Sequence, residues 1–455
     1  MILESGPASL LSLVPRAWVG RETYANAWIQ LMRRVLRSLL LIAFVVCSSL
    51  PAAAFSLLEP NTWPQPFNPA QWPFTLIPIP EVATDPNGGT TYGALFAFLF
   101  KDQQNEIQNI FAPDFNNNTD LGVGGAVRFF SYPSENTQWY VLAEAHRNLQ
   151  RQADLNFSTG RTHEQWWSFD GRIFFEHDPT ERFFGLGNDS RLGGESNYET
   201  KQVYVRALFG WNISKNLQLA LVFRPRYVRI ANGAFNSIPQ TLTVYPTVKG
   251  VNGGSEVYNE VRASYDTRDA IDIPRAGGLA LIYAGIADRR FMSSVSYNRF
   301  GGDLRYYWTP DKLIPEKRLT IAMHAYLQYT PAGNETPFWS MARLGGEESL
   351  LYDQQTLRGY GVGRFTDDNL AVTNVEFRTR VYEADVFGTH GIAEIAPFAE
   401  AGRVFHHMSE DPVTDLHPVG GVGFRAIAEP FVVGYVDVGW GGEGAAVFSG
   451  INYPF

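Results

Sequence analysis

The 455-residue sequence has one cysteine, Cys47, so neither a disulfide framework nor a cysteine-based zinc site can organise it. Charge is scarce, at 18% of residues, and acidic in balance: 37 Lys and Arg against 46 Asp and Glu leave a net charge of -9. That is the wrong sign for gripping phosphate backbones, which excludes nucleic acid as the principal partner. Apolar runs are short, and none reaches the about 18–20 residues that a membrane-spanning helix needs. The chain also lacks a P-loop and a G-x-S-x-G elbow. His390, His406, His407 and His417 follow no zinc spacing, and the acidic pairs Glu347-Glu348 and Asp367-Asp368 read as hydrated loop surface. No metal or cofactor is called for, and no nucleophile and base stand together as in an enzyme.

What is present begins with an export pattern. Arg33, Arg34 and Arg37 precede an apolar core from Leu39 to Leu50, followed by Ala52-Ala53-Ala54, which predicts a signal peptide cleaved before Phe55, with Met32 as a plausible start. Removing residues 1–54 deletes five basic and two acidic side chains and the only cysteine, leaving a thiol-free acidic chain suited to an oxidising compartment. Residues 55–90 hold eight prolines between Pro60 and Pro86, a density that predicts an extended periplasmic leader rather than a helix or a central strand.

From residue 91 to residue 455 the composition predicts an all-β domain. Alternating segments such as Thr91 to Lys101, Gln202 to Ile213, Leu217 to Ile230, Asn369 to Tyr382 and Gly391 to Phe405 are separated by Gly, Asn, Asp and Pro. Many exceed the about 5–6 residues of an ordinary strand and match the about 9–11 of a tilted membrane-crossing one. Only helices and closed barrels satisfy their backbone in lipid, and the mature chain has no spanning helix, so the expected fold is a transmembrane antiparallel β-barrel. Sixteen strands would assign about 25 residues to each strand and its loop, a spacing consistent with barrels of this type. In the last segment Val447, Ser449, Ile451, Tyr453 and Phe455 share one face, the pattern of a lipid-facing strand with an aromatic end.

An ordered set of short motifs runs through the second half: Ser264-Tyr265-Asp266-Thr267-Arg268-Asp269, Pro274-Arg275-Ala276-Gly277, Leu344-Gly345-Gly346, Leu357-Arg358-Gly359-Tyr360, Phe398-Ala399-Glu400-Ala401-Gly402, Gly421-Val422-Gly423-Phe424-Arg425 and Tyr453-Pro454-Phe455. Phe183-Phe184-Gly185-Leu186-Gly187-Asn188-Asp189 precedes them. In order and in distance from the last residue, this set resembles the barrel of the BamA/TamA outer-membrane assembly superfamily, also called the bacterial surface antigen family.

The resemblance implies a 16-stranded barrel whose long sixth loop folds into the lumen and sets an Arg-Gly-aromatic tip against acidic and aromatic side chains of the wall. The tip maps to Arg358, Gly359 and Tyr360, and the wall to Phe398, Glu400 and Gly402. A second acid is common in the family on the strand after Glu400. Here that strand carries Arg425, and Asp437, one strand further, is the residue that could compensate. Ile451, Tyr453 and Phe455 map to the terminal assembly signal of outer-membrane proteins. The Asp266, Arg268 and Asp269 cluster reads equally as charged turn chemistry beside Pro274 and Gly277.

The resemblance also implies the outer membrane of a Gram-negative bacterium, with membrane lipids, the barrel assembly machinery during biogenesis and a client protein or lipid as partners. The periplasmic POTRA-type domains of better-known members have no counterpart in 55–90. The expected function is non-catalytic assistance of insertion or translocation, through an edge between Thr91–Lys101 and Gly444–Phe455. The alternative is a passive or gated channel.

Overall fold

The computed structural model describes residues 74–455 apart from 86–88, 104–105, 149, 311–317, 332, 348–353, 387–388, 429–431 and 452. The expected signal peptide and the leader up to residue 73 lie outside the described residues. The elements are strands β1 (Thr75–Asp85), β2 (Gly89–Lys101), β3 (Ile107–Asn118), β4 (Gly122–Ser134), β5 (Thr137–His146), β6 (Arg151–Thr159), β7 (Trp167–Phe183), β8 (Ser196–Asn212), β9 (Leu217–Asn232), β10 (Gly254–Asp266), β11 (Gly277–Ala287), β12 (Tyr297–Trp308) and β13 (Leu319–Tyr329). Three short strands follow, β14 (Ala342–Leu344), β15 (Gln354–Gln355) and β16 (Phe365–Asp367), and then β17 (Asn369–Val386), β18 (Thr389–Phe405), β19 (His417–Ala428), β20 (Val432–Gly441) and β21 (Gly444–Ile451).

The long strands form one 18-stranded antiparallel sheet in which each pairs with its neighbours in sequence, β13 with β17, and β21 with β1, closing a barrel. The short strands form a separate three-stranded sheet in the order β15-β14-β16. With an even number of strands, both ends of the barrel sequence emerge at the same rim.

Side-chain alternation explains why these segments pair as a barrel. Along β9 exposed and buried positions alternate, but with polarity reversed from that of a soluble sheet: Leu219, Leu221, Phe223 and Tyr227 are exposed, whereas Gln218, Arg224 and Arg226 are buried. The same inversion places Ile173, Val203, Val205, Ile282, Leu304, Phe377 and Phe424 outside. A lipid-facing apolar surface around a polar interior defines a transmembrane barrel.

The expected count of sixteen strands is corrected to 18. One of the two additional strands lies in the first hairpin, because Thr75–Asp85, expected to belong to a leader, is a strand paired with β2 from Thr75↔Leu99 to Asp85↔Gly89. The barrel therefore begins at Thr75 and not at Thr91. Pro78 and Pro80 had argued against a strand here. They are tolerated because they lie on an edge: the ladder to β2 runs unbroken through both, so the positions where proline lacks its N–H face away from β2. On that far side, among the described residues, β1 pairs with β21 at Thr84↔Val447.

The ends of the wall overlap rather than zip together. On β19 and β20, Ala428 and Gly434 lie on the outward face with the exposed Ala426, and Ile451 of β21 pairs with Gly434 on that face. Nevertheless Ala428 and Ile451 pack into an apolar cluster with Leu95, Ala97, Leu99, Ile110 and Ala112, and a Cβ on Gly434 would stand 3.7 Å from Ile79. The inner face of β1–β3 thus covers the outer face of the last strands.

Candidate functional site

The site grows from alternation on the second half of the sheet. Glu376 and Arg378 on β17, Phe398 and Glu400 on β18, Arg425 on β19 and Asp437 on β20 all lie on the inner face, opposite the exposed Phe377, Phe424 and Trp440. Arg358, from the segment between β15 and β16, meets them. Its Nε donates to Glu400 Oε1 at 2.8 Å, and its main-chain N–H donates to Glu400 Oε2 at 2.6 Å. Its Nη1 donates to Glu376 Oε1 at 2.7 Å and to Asp437 Oδ2 at 2.5 Å. The Phe398 ring lies under the guanidinium, 3.7 Å from Cζ to the ring centre.

Two further arginines close the network. Arg425 pairs with Asp437 and reaches Glu376 at 3.3 Å, while Arg378 Nε donates to Glu376 Oε2 at 2.8 Å. Three guanidinium groups and three carboxylates are therefore enclosed together, and five of the six side chains have no exposed surface. Buried charges persist when they are paired and hydrogen-bonded in this manner.

The neighbouring residues fix the main chain around Arg358. A Cβ on Gly359 would stand 2.5 Å from Gly441 N, and one on Gly439 would stand 2.1 Å from Arg358 O, so the two backbones approach at glycine on both sides. Tyr360 is buried, with its hydroxyl accepting from Gly442 N at 2.9 Å and its ring edge-on to Phe365 at 5.2 Å. Gly402 does not reach Arg358. It makes room for Val372 and Leu344, whose side chains would lie 3.0 and 3.1 Å from a Cβ there.

A second arginine, Arg364, anchors the far end of the same segment. Its Nε donates to Glu443 at 2.8 and 2.9 Å, its Nη1 and Nη2 donate to Ser190 Oγ and O at 3.0 and 2.7 Å, and Phe184 and Phe365 flank its guanidinium. Asn188 donates to Asp415 O, and His417 contacts Asn188 O. The Phe183–Asp189 motif thus gains a physical role, as the seat of this second anchor.

The structure brings together Arg358, Gly359, Tyr360, Phe398, Glu400, Arg425 and Asp437. Sequence reasoning missed Glu376, the carboxylate that touches all three arginines, and also Arg378, Arg364 and Glu443. A usable signal existed: Asn374, Glu376 and Arg378 form a polar row alternating with Val375 and Phe377.

The expected lipid-facing aromatic end is corrected. β21 stops at Ile451, with Pro454 unable to donate to a ladder, and Phe455 is buried against inner-face side chains of β12, β13 and β17. The expected edge strand Thr91–Lys101 is also corrected, since it lies within β2, which is paired on both sides. Asp266 and Arg268 pair at 2.7 Å, and Asp269 accepts from Arg275 and Ala276 main-chain N–H, which is turn chemistry. His406 stands 2.9 Å from Asp368 and 3.4 Å from Asp367 in ion-pair geometry, and its ring lies 4.2 Å from that of His407 at a 53° tilt.

An inverted polarity pattern on a closed antiparallel sheet, with an arginine-centred network on its inner face, defines a transmembrane β-barrel of the outer-membrane kind. The Omp85 superfamily domain matches residues 136–424, and the chain belongs to that superfamily. No curated protein matches the sequence. Among solved structures, BamA from Haemophilus ducreyi lacking POTRA domains 1–3 is similar at 13% identity and a TM-score of 0.48, over 82% of this chain and 74% of that one. CdiB from Escherichia coli is similar at 10% identity and a TM-score of 0.44, over 82% of this chain and 59% of that one. CdiB from Acinetobacter baumannii is similar at 11% and 0.44, over 83% and 59%.

Proposed function

We propose that this chain is a non-enzymatic outer-membrane barrel of a Gram-negative bacterium that assists insertion or translocation of membrane components, protein or lipid, by parting its own wall. The observation that carries the reading is the closure. β21 pairs with β20 from Gly434↔Ile451 to Gly441↔Gly444, and β1 pairs with β2 along its whole length, yet β1 and β21 share only Thr84↔Val447 among the described residues. A wall that opens must have a joint weaker than the rest, and an exposed edge there templates an incoming strand by main-chain pairing.

The network on the inner face fits this reading. The segment around Arg358 acts as a loop held in the lumen, bracing β17, β18 and β20 while the joint moves. Membrane lipids, the assembly machinery during biogenesis and a client strand or lipid are the partners.

The mature chain is expected to be free of cysteine, so a disulfide between Thr84→Cys and Val447→Cys would close the joint selectively. In vesicles, insertion of a urea-unfolded small outer-membrane barrel should fall to the rate of protein-free vesicles when the disulfide forms and recover on reduction. An oxidised protein as active as the reduced one would retire the mechanism.

A further inference from the structure

The residues after β21 occupy a built site. The Phe455 ring stacks on His324 with centroids 5.2 Å apart and planes 21° apart, and it packs with Tyr307 and Ala322. Arg378 lies over the Tyr453 ring at 3.8 Å and over the Phe455 ring at 5.2 Å, and its Nη2 donates to the Phe455 main-chain oxygen at 3.3 Å. The Tyr453 hydroxyl donates to Glu394 at 3.3 Å, and its ring packs beside Ile273, Ile392, Ile427 and Val433. Two aromatic rings spaced by one residue are thus received by a cation, an imidazole, a carboxylate and apolar walls drawn from β12, β13 and the four strands β17 to β20.

This docking has a mechanical consequence. The last strand belongs at the joint with β1, yet its following residues are fastened to the wall at β12, β13 and β17. That attachment draws the end of β21 inward and accounts for two features of the joint: the ladder to β1 is a single pair, and the outward-facing Ala428 and Ile451 lie beneath Leu95 and Leu99.

We propose that the inner wall around Tyr307, His324, Arg378 and Glu394 is a receptor site for a peptide of the pattern Tyr-x-Phe, filled in cis by Tyr453 and Phe455, and that its filling latches the outer face of the last strands beneath the first hairpin. The partner is therefore this chain's own tail, and any other extended segment with the same two rings competes for the place. The latch does not depend on the insertion reading, because it is measured without a client.

The test uses Ala428→Cys as a thiol reporter, since Ala428 is covered in the latched state at 5% exposure. Fold is first verified for each protein by heat-modifiable migration in a gel. With the native tail, a maleimide should label this cysteine slowly. With Tyr453→Ala and Phe455→Ala together, labelling should accelerate about tenfold or more, the scale set by losing aromatic and cation contacts of this kind. Phe455→Tyr should keep the protection. A fluorescent peptide of residues 449–455 should bind the doubly substituted barrel and not the native one, whose site is full. If the double variant does not fold, Phe455→Leu gives the same comparison with a smaller expected acceleration. Unchanged labelling in a folded variant, or no binding of the peptide to it, overturns the proposal.

Discussion

At the scale of single residues, Glu376 is the carboxylate shared by all three arginines of the site. It accepts from Arg358 at 2.7 Å, Arg378 at 2.8 Å and Arg425 at 3.3 Å, with no solvent to replace it. Glu376→Ala leaves three enclosed guanidinium groups with two carboxylates and is expected to lower stability by about 3–5 kcal/mol. Glu335→Ala, which removes an exposed partner of Arg289, should cost about 1 kcal/mol or less. Urea-unfolding midpoints of the two variants in the same detergent give the comparison, and equal midpoints would mean that the network does not act as a unit. Glu347 supplies a pH test. Burial pushes its carboxyl up from 4.5 to about 7, while the Tyr435 hydroxyl, Arg358 and Arg425 pull it down and Asp437 adds to the rise. The folded state therefore holds this proton more tightly than the unfolded one. Its contribution to stability is complete below about pH 4.5 and is lost as pH rises through about 7. Glu347→Gln should remove that part of the pH dependence, as read from unfolding midpoints at pH 4.5 and pH 8. An undiminished difference would assign the effect elsewhere.

At the scale of elements, legibility followed periodicity. β9, β17 and β18 alternate cleanly, so their existence and facing could be read directly, and with them the inward placement of Glu400, Arg425 and Asp437. β1 was not legible because its prolines carry a local signal against a strand that only tertiary context reverses, since an edge forgives a missing donor. The alternation of Tyr453 and Phe455 with Ile451 was real, but Pro454 interrupts the ladder that would have made the three share one surface. Glu376 was hidden for a different reason. Its partners come from loop, β17 and β19, and such convergence is a property of the closed sheet rather than of any one segment. Asp437 and Arg425 were both readable as inner-face residues because parity alone puts them there, and Asp437 contacts both Arg358 and Arg425.

At the scale of the whole molecule, charge is divided around the inner face. The inner face carries Arg172, Arg206, Arg224, Arg226 and Arg299 on β7, β8, β9 and β12, and Glu376, Glu400 and Asp437 on β17, β18 and β20. If the segment around Arg358 fills the lumen, the purified barrel in a planar bilayer should pass little current or flicker. Arg358→Ala and Glu400→Ala should then raise the current similarly, because each breaks the same attachment. A large, steady current indifferent to both substitutions would instead favour a passive channel.

The prolines of β1 have one more consequence. Because the ladder to β2 passes unbroken through Pro78 and Pro80, the free side of β1 at these positions presents carbonyl oxygens without accompanying N–H groups. Along the free side of β21, the non-proline residues from Val447 to Ile451 retain both kinds of group. The two lips of the joint are therefore of unequal valence: one is a nearly pure acceptor over this stretch, and the other is bivalent. If the wall parts as proposed, a strand arriving between them would be received asymmetrically, forming a full ladder only along β21, and the backbone chemistry of the first strand would set the direction from which the wall re-closes.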